Sequence, residues 1–196
     1  MEGSSDAVND AADRLAEIEK KRSSAIDRSR VITRKTKNMI HAIHTGYDHT
    51  AVADDLIRER DGLFNSIGDE PSVLYSAVVQ DALGEYAEAF IFAAIVKGVD
   101  IPSFDSLGIS PQSWVMGLAD SIGEIRRMIL TYLISGKLDV ARELFGRMES
   151  MGDAVLGLDV PDAVAPIRRK QDVARGIIEK TRSDITNAVM LAQYKE

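Results

Sequence analysis

Three carboxylates, Asp81, Glu85 and Glu88, stand four and three residues apart in a stretch of chain that is otherwise largely apolar. On a helix, at about 100° per residue, that spacing sets them in one row. Like charges so placed repel one another, and no basic residue lies between them. The segment WVMGLADSIGEIRRMIL repeats the arrangement, with Asp120 and Glu124 four apart and Arg127 continuing the row. Two mostly buried helices with such rows can bring Glu85, Glu88, Asp120 and Glu124 together. Four uncompensated carboxylates in a confined site are costly. A hard divalent cation removes that cost, and oxygen donors without imidazole or thiolate favour Mg²⁺ or Mn²⁺. Such ions support phosphodiester hydrolysis by activating water and neutralising charge on the phosphate. On the residues alone a second reading stays open, in which the acids face solvent and Glu124 pairs with Arg127.

Composition narrows the alternatives. There is no cysteine, which excludes disulfides, zinc thiolate sites and cysteine nucleophiles. The three histidines, His41, His44 and His49, all fall in the first quarter of the chain. That leaves little for a Ser–His–Asp triad, and no histidine completes a Glu-x-x-His motif of the di-iron bundle type. The net charge of −7 argues mildly against a nucleic-acid partner, but it hides an asymmetry. Lys20 to Lys37 carries eight basic residues against one acidic residue, Asp27. Such a stripe suits a polyanion met by one surface, or else a solvated helix face. Arg28, Arg30, Arg34, Lys35 and Lys37 are its candidate nucleic-acid contacts. The N-terminus has no apolar run of signal-peptide type, and the longest apolar stretch, Ala89 to Val96, is too short for a membrane span. A cytoplasmic location is expected.

The elements that must position these residues all read as helix. Residues 6–45 contain neither proline nor glycine, and Leu15, Ile18, Ala25, Ile32, Met39 and Ile43 recur at helical intervals. Gly46 ends that first helix. A second runs from about Thr50 to Ile67 and stops at Gly68, and a third opens at Pro71 and continues to Lys97. Val99 to Ser110 reads as a connection. A fourth helix starts at Ser110-Pro111 and breaks at Gly136, a fifth runs from Lys137 to Leu156, and the last from about Asp162 to Tyr194. The expectation is an all-α fold, one domain of six or seven helices over residues 1–196, with residues 1–8 disordered.

Around the acids the sequence resembles the translin/Trax family. Trax-type chains carry a Glu-x-x-Glu pair within an apolar helix, here Glu85-Tyr86-Ala87-Glu88 followed by Ala89-Phe90. They also carry a Gly-(Val/Leu)-Ala-Asp-x-x-Gly-Glu segment with an arginine three residues on, here Gly117 to Glu124 and then Arg127. Arg30 to Lys37 stands where the family has a basic helix, and Arg168-Arg169-Lys170-Gln171-Asp172-Val173 resembles its Lys-x-Asp-Val stretch. The matches spread from about residue 20 to 185. Translin-type chains lack the Glu-x-x-Glu pair and have an apolar residue in place of the aspartate, so retention of all four acids resembles the catalytic, Trax-like branch. The chain is shorter than typical eukaryotic Trax at the N-terminus and between the third and fourth helices, which points to an archaeal homologue.

The resemblance implies a metal-dependent endoribonuclease that cuts RNA inside a hollow homo-oligomeric shell, octameric in the family. Glu85, Glu88, Asp120 and Glu124 would ligate Mg²⁺ or Mn²⁺, with one of them able instead to act as general base. Arg127 would orient a phosphate oxygen or pair with Glu124. The alternatives are a non-catalytic translin-like shell that binds RNA or single-stranded DNA, which the retained acids disfavour, and a purely structural helical assembly.

Overall fold

The computed structural model describes residues 2–193, and every regular element among them is helical. Helix α1 spans Glu2–Thr45, α2 Thr50–Ile67, α3 Pro71–Leu74, α4 Ala77–Lys97, α5 Phe104–Leu107, α6 Pro111–Ile134, α7 Leu138–Leu156 and α8 Arg168–Gln193. The 44 residues of α1 make a rod of about 66 Å. It begins at Glu2, so the described part of the segment expected to be disordered is helical.

The expected third helix divides in two, for a local reason. Ser76 adopts an extended conformation (φ −66°, ψ 145°) between the single turn of α3 and the start of α4. Its hydroxyl donates to the Val73 carbonyl at 2.6 Å, and the Gln80 amide donates to the Leu74 carbonyl at 2.9 Å. Side chains thus satisfy carbonyls that a continuous helix would have used. The connection after α4 holds a further turn, α5, capped by the Ser103 hydroxyl, which accepts from the Ser106 amide at 3.1 Å. These two single turns account for the difference from six or seven helices. The last helix starts later than expected, at Arg168. Pro161 accepts from the amides of Val164 and Ala165, and Pro166 has no amide to donate, so the chain turns before it coils.

Helix α4 is the centre of the fold. Twelve of its 21 residues are buried, including Leu83, Tyr86, Ile91 and Phe92, which is why it reads apolar nearly all round. It packs between α1 on one side and α6 on the other, and α6 in turn packs on α7 and α8. Helix α2 folds back along α1. Helices α4 and α6 approach unusually closely where Gly84 meets Gly117. A methyl group on Gly117 would collide with the Gly84 carbonyl and lie 2.8 Å from both the Ala87 Cβ and the Glu88 nitrogen. One to two turns earlier the pair is pinned by a polar cluster, in which the Ser110 and Ser113 hydroxyls both donate to Gln80 Oε1 at 2.8 Å. Ser110 also caps α6 by accepting from the Ser113 amide at 3.1 Å. No described helix is long and apolar enough to cross a membrane.

Candidate functional site

The close contact of α4 with α6 carries the two acidic rows to one side of the molecule. Along α4 the row passes from exposed Asp81 to half-buried Glu85 and Glu88. On α6, Asp120 and Glu124 are half-buried as well. A cleft of about 530 Å³ opens between these helices and the start of α8, lined by Asp81, Glu85, Asp120 and Lys170, among others. Its floor is the small-residue seam at Gly84.

The acids feel one another. Burial, then the charges of Asp120, Glu124 and Glu85, push the Glu88 carboxyl up to about 8, so near neutrality it holds its proton. Glu85 is also raised, chiefly by burial, with Asp120 and Asp81 adding to the rise while Lys37 and Thr33 of α1 oppose it. Glu124 goes the other way. His44, near the end of α1, stands with Nε2 2.5 Å from Glu124 Oε2, and this hydrogen bond holds the carboxylate below its ordinary range. Arg127 lies 3.6 Å from the same oxygen but is 61% exposed. On the neighbouring acid, the Lys170 ammonium donates to both oxygens of Asp120.

The donor chemistry fits a hard cation: four carboxylates, one of them kept protonated by burial and by the charges of the others. As placed, however, no three acidic or histidine side chains among the described residues stand close enough to enclose one ion. Asp120 and Glu124 are instead turned onto partners from the chain itself, Lys170 and His44. Those two partners were not singled out as site residues by sequence reasoning. For His44 a signal existed, since it lies seven residues after Lys37, on the α1 face that meets α4. Its ring is 6% exposed, stacks at 4.9 Å on Phe92, and leaves Nδ1 buried with no hydrogen-bond partner. For Lys170 the signal was its place in the basic stretch at the start of α8.

The basic stripe of α1 is divided by the turn of the helix. Arg28 and Lys35, seven apart, share one face and point to α2, where Arg28 lies 3.6 Å from Glu59 and Lys35 lies 3.2 Å from Glu59 and 3.3 Å from Asp55. Arg30, Arg34 and Lys37 lie on a different face. With Ser29, Thr33 and Asn38 they line a groove of about 490 Å³ against Val78, Asp81 and Ala82 of α4. Asp81 borders both this groove and the acidic cleft, so the two are neighbours along α4. Arg30 is 3.3 Å from Asp27, whereas Arg34 and Lys37 make no ion pair among the described residues.

Known proteins share this architecture. No protein-family model matches the chain. The uncharacterized protein MJ0175 of Methanocaldococcus jannaschii is 32% identical over 195 residues, a match that spans 97% of this chain and 86% of that protein. Among solved structures, apo-NeC3PO superposes with a TM-score of 0.80 at 23% identity, covering 92% of this chain and 96% of its own. AfC3PO in its complex with duplex RNA superposes with a TM-score of 0.79 at 27% identity, covering 97% of this chain and all of that one. AfC3PO in a separate crystal structure gives 0.78 at 28%. Kinship along nearly the whole chain places this protein in one family with the methanogen protein, and its helical architecture is that of the C3PO structures.

Proposed function

We propose that this chain is a metal-dependent endoribonuclease of the Trax-like branch, working as a closed homo-oligomer. The observation that carries the reading is the gathering of Glu85, Glu88, Asp120 and Glu124 along the close contact of α4 with α6, where burial and then the neighbouring charges push the Glu88 carboxyl up to about 8. A structural surface has no use for such crowding, whereas a cation site is built from it. Mg²⁺ or Mn²⁺ held by Glu85, Glu88, Asp120 and Glu124 would supply Lewis-acid polarisation of a phosphate oxygen and an activated water. The chain supplies the rest. Arg30, Arg34 and Lys37 bind the RNA backbone in the groove beside α4, and the shared border at Asp81 leads that backbone into the acidic cleft. The groove offers charge without an aromatic platform, which gives affinity with little sequence preference. Arg28 and Lys35 hold α2 in place instead, and Arg127, exposed at the edge of the site, is free to swing from Glu124 to a phosphate oxygen. His44 fixes the orientation of Glu124.

That the structure of AfC3PO is known in complex with duplex RNA supports RNA as the polyanion. The long α1, in which residues 5–24 are mostly exposed, including Val8 at 66% and Leu15 at 65%, supports association of several copies. The test is cleavage of a labelled single-stranded RNA in Mg²⁺ or Mn²⁺, with EDTA as control. Cation-dependent cleavage is expected. RNA binding without cleavage in either cation would favour the second reading, a non-catalytic RNA-binding shell.

A further inference from the structure

Lys170 is the cationic group most intimately lodged in the acidic centre, and nothing above gives it a task. Its ammonium reaches from the first turn of α8 to both oxygens of Asp120. It is 28% exposed, and Asp120 is 40% exposed, so water reaches the pair but does not separate it. Lys170 borders two clefts at once, the one lined by Glu85 and a second of about 380 Å³ lined by Ala119, Gly123 and Arg169. On the Gly123 side there is room to move, since a methyl group there would meet nothing within 4 Å. A carboxylate whose two oxygens are shared by an ammonium keeps lone pairs but has its charge already neutralised, so it attracts a second cation weakly. A divalent ion arriving at Asp120 competes with the Lys170 ammonium and repels it, which favours its departure.

We propose that Lys170 is an internal stand-in for the divalent cation, a positioning residue that neutralises Asp120 in the cation-free chain and exchanges onto an RNA phosphate when the cation enters. The freed ammonium stays within a side-chain length of the cleft that Glu85 and Asp120 line. It then lies on the path of the backbone, at the far side of the acids from the α1 groove. A neighbouring arginine, Arg169, carries the same charge and lines the second cleft but makes no ion pair among the described residues. It is the natural control for bulk charge. The inference rests on the cation-centre reading above.

The experiment measures Mn²⁺ affinity of the full chain, without RNA, by the electron-spin-resonance signal of free Mn²⁺. Lys170→Met is expected to bind Mn²⁺ about five-fold more tightly than the parent, the equivalent of a half-exposed ion pair of about 1 kcal/mol. It should nonetheless cleave RNA more slowly, because the phosphate loses its ammonium. Arg169→Met should stay within about two-fold of the parent in Mn²⁺ affinity, and Lys170→Arg should resemble the parent. A merely structural tie between α6 and α8 would lower affinity and activity together. Unchanged or weaker Mn²⁺ binding by Lys170→Met overturns the exchange alone, as does an equal gain by Arg169→Met. A parent chain that binds no Mn²⁺ at all overturns both the exchange and the cation-centre reading. If Lys170→Met does not fold, lysine-labelled parent protein gives the answer. The Lys170 side-chain resonance, identified by its loss in Lys170→Arg, must shift as Mg²⁺ is added, and a resonance that stays fixed overturns the proposal.

Discussion

The basic stripe of α1 and the acidic rows of α4 and α6 are both runs of like charge on helices, yet the fold treats them differently. On α1 the charges are shared out around the helix. Arg28 and Lys35 are paired to Glu59 and Asp55 of α2, while Arg34 and Lys37 keep their charge facing an open groove. On α4 and α6 the charges are gathered instead, half-buried, and met by single groups borrowed from distant helices, His44 and Lys170. Burial, and then the neighbouring acids, raise Glu88 to about 8. A dispersed charge run contributes to stability and to long-range attraction, and loses little when one member goes. A gathered one carries chemistry, and each member alters the state of the others.

The sharpest way to break that contrast is to delete one gathered acid. Glu85→Ala or Asp120→Ala should lower RNA cleavage by about a hundredfold or more, as loss of groups around a metal centre does. RNA affinity measured in EDTA should be unchanged or tighter, because negative charge has been removed. Cleavage at the parent rate by either variant would end the assignment. Next in size is the groove face of α1. The double reversal Arg34→Glu, Lys37→Glu should weaken binding similarly for unrelated RNA sequences. It should also flatten the salt dependence, whose log–log slope is about −0.7 per phosphate contacted on a single strand. Reversal at Arg28 and Lys35 should cost stability in a denaturant titration, by about 1 kcal/mol per lost pair at most, and leave RNA affinity nearly intact. Equal effects from the two faces would mean that the division of the stripe has no functional content.

A smaller effect concerns stability against pH. Below about pH 4.5 Glu88 is protonated in both the folded and unfolded chain. From there to about 8 the folded chain keeps a proton that the unfolded chain has given up, so folding stability falls as pH rises. Above about 8 the penalty is complete. In EDTA, Glu88→Gln should therefore match the parent in melting temperature near pH 5 and exceed it by several degrees near pH 8. Melting curves that differ by the same amount at both pH values would show that Glu88 is an ordinary surface carboxylate.

Much of this was legible in the chain itself, for identifiable reasons. The start and end of α2, the stop of α1 at Gly46 and the cap of α6 at Ser110 follow from local punctuation, which needs no tertiary context. The burial of α4 follows from its all-round apolar profile. What escaped notice rests on particular side-chain and carbonyl contacts, some local and some distant. The break at Ser76 is stabilised by the Gln80 side chain, and the late start of α8 by carbonyl contacts at Pro161. The acids could be read as a group because their spacing is internal to two helices. His44 and Lys170 reach Glu124 and Asp120 across 80 and 50 residues, and no helical period reports such a meeting. The stripe on α1 was read as one surface because composition counts charges without asking which way each points. The seven-residue interval between Arg28 and Lys35, set against the intervals of four and three from Arg30 through Arg34 to Lys37, already contained the division.

The contact at Gly117 has a consequence for how this site can change over generations. The gap between the carboxylate rows is set there by backbone touching backbone, since even a methyl group would strike the Gly84 carbonyl. Gly84 itself is less constrained, as a methyl group there would meet the Ser113 carbonyl at an ordinary 3.6 Å. Alanine should therefore be accepted at 84 and should cost about 1–3 kcal/mol at 117, the usual range for forced overpacking. No amino acid is intermediate in size between glycine and alanine. Descendants of this chain can thus adjust the acids, their counter-ions or the groove by graded steps, but at residue 117 they face a single jump that pries the two helices apart. The spacing of the rows is inherited whole or lost.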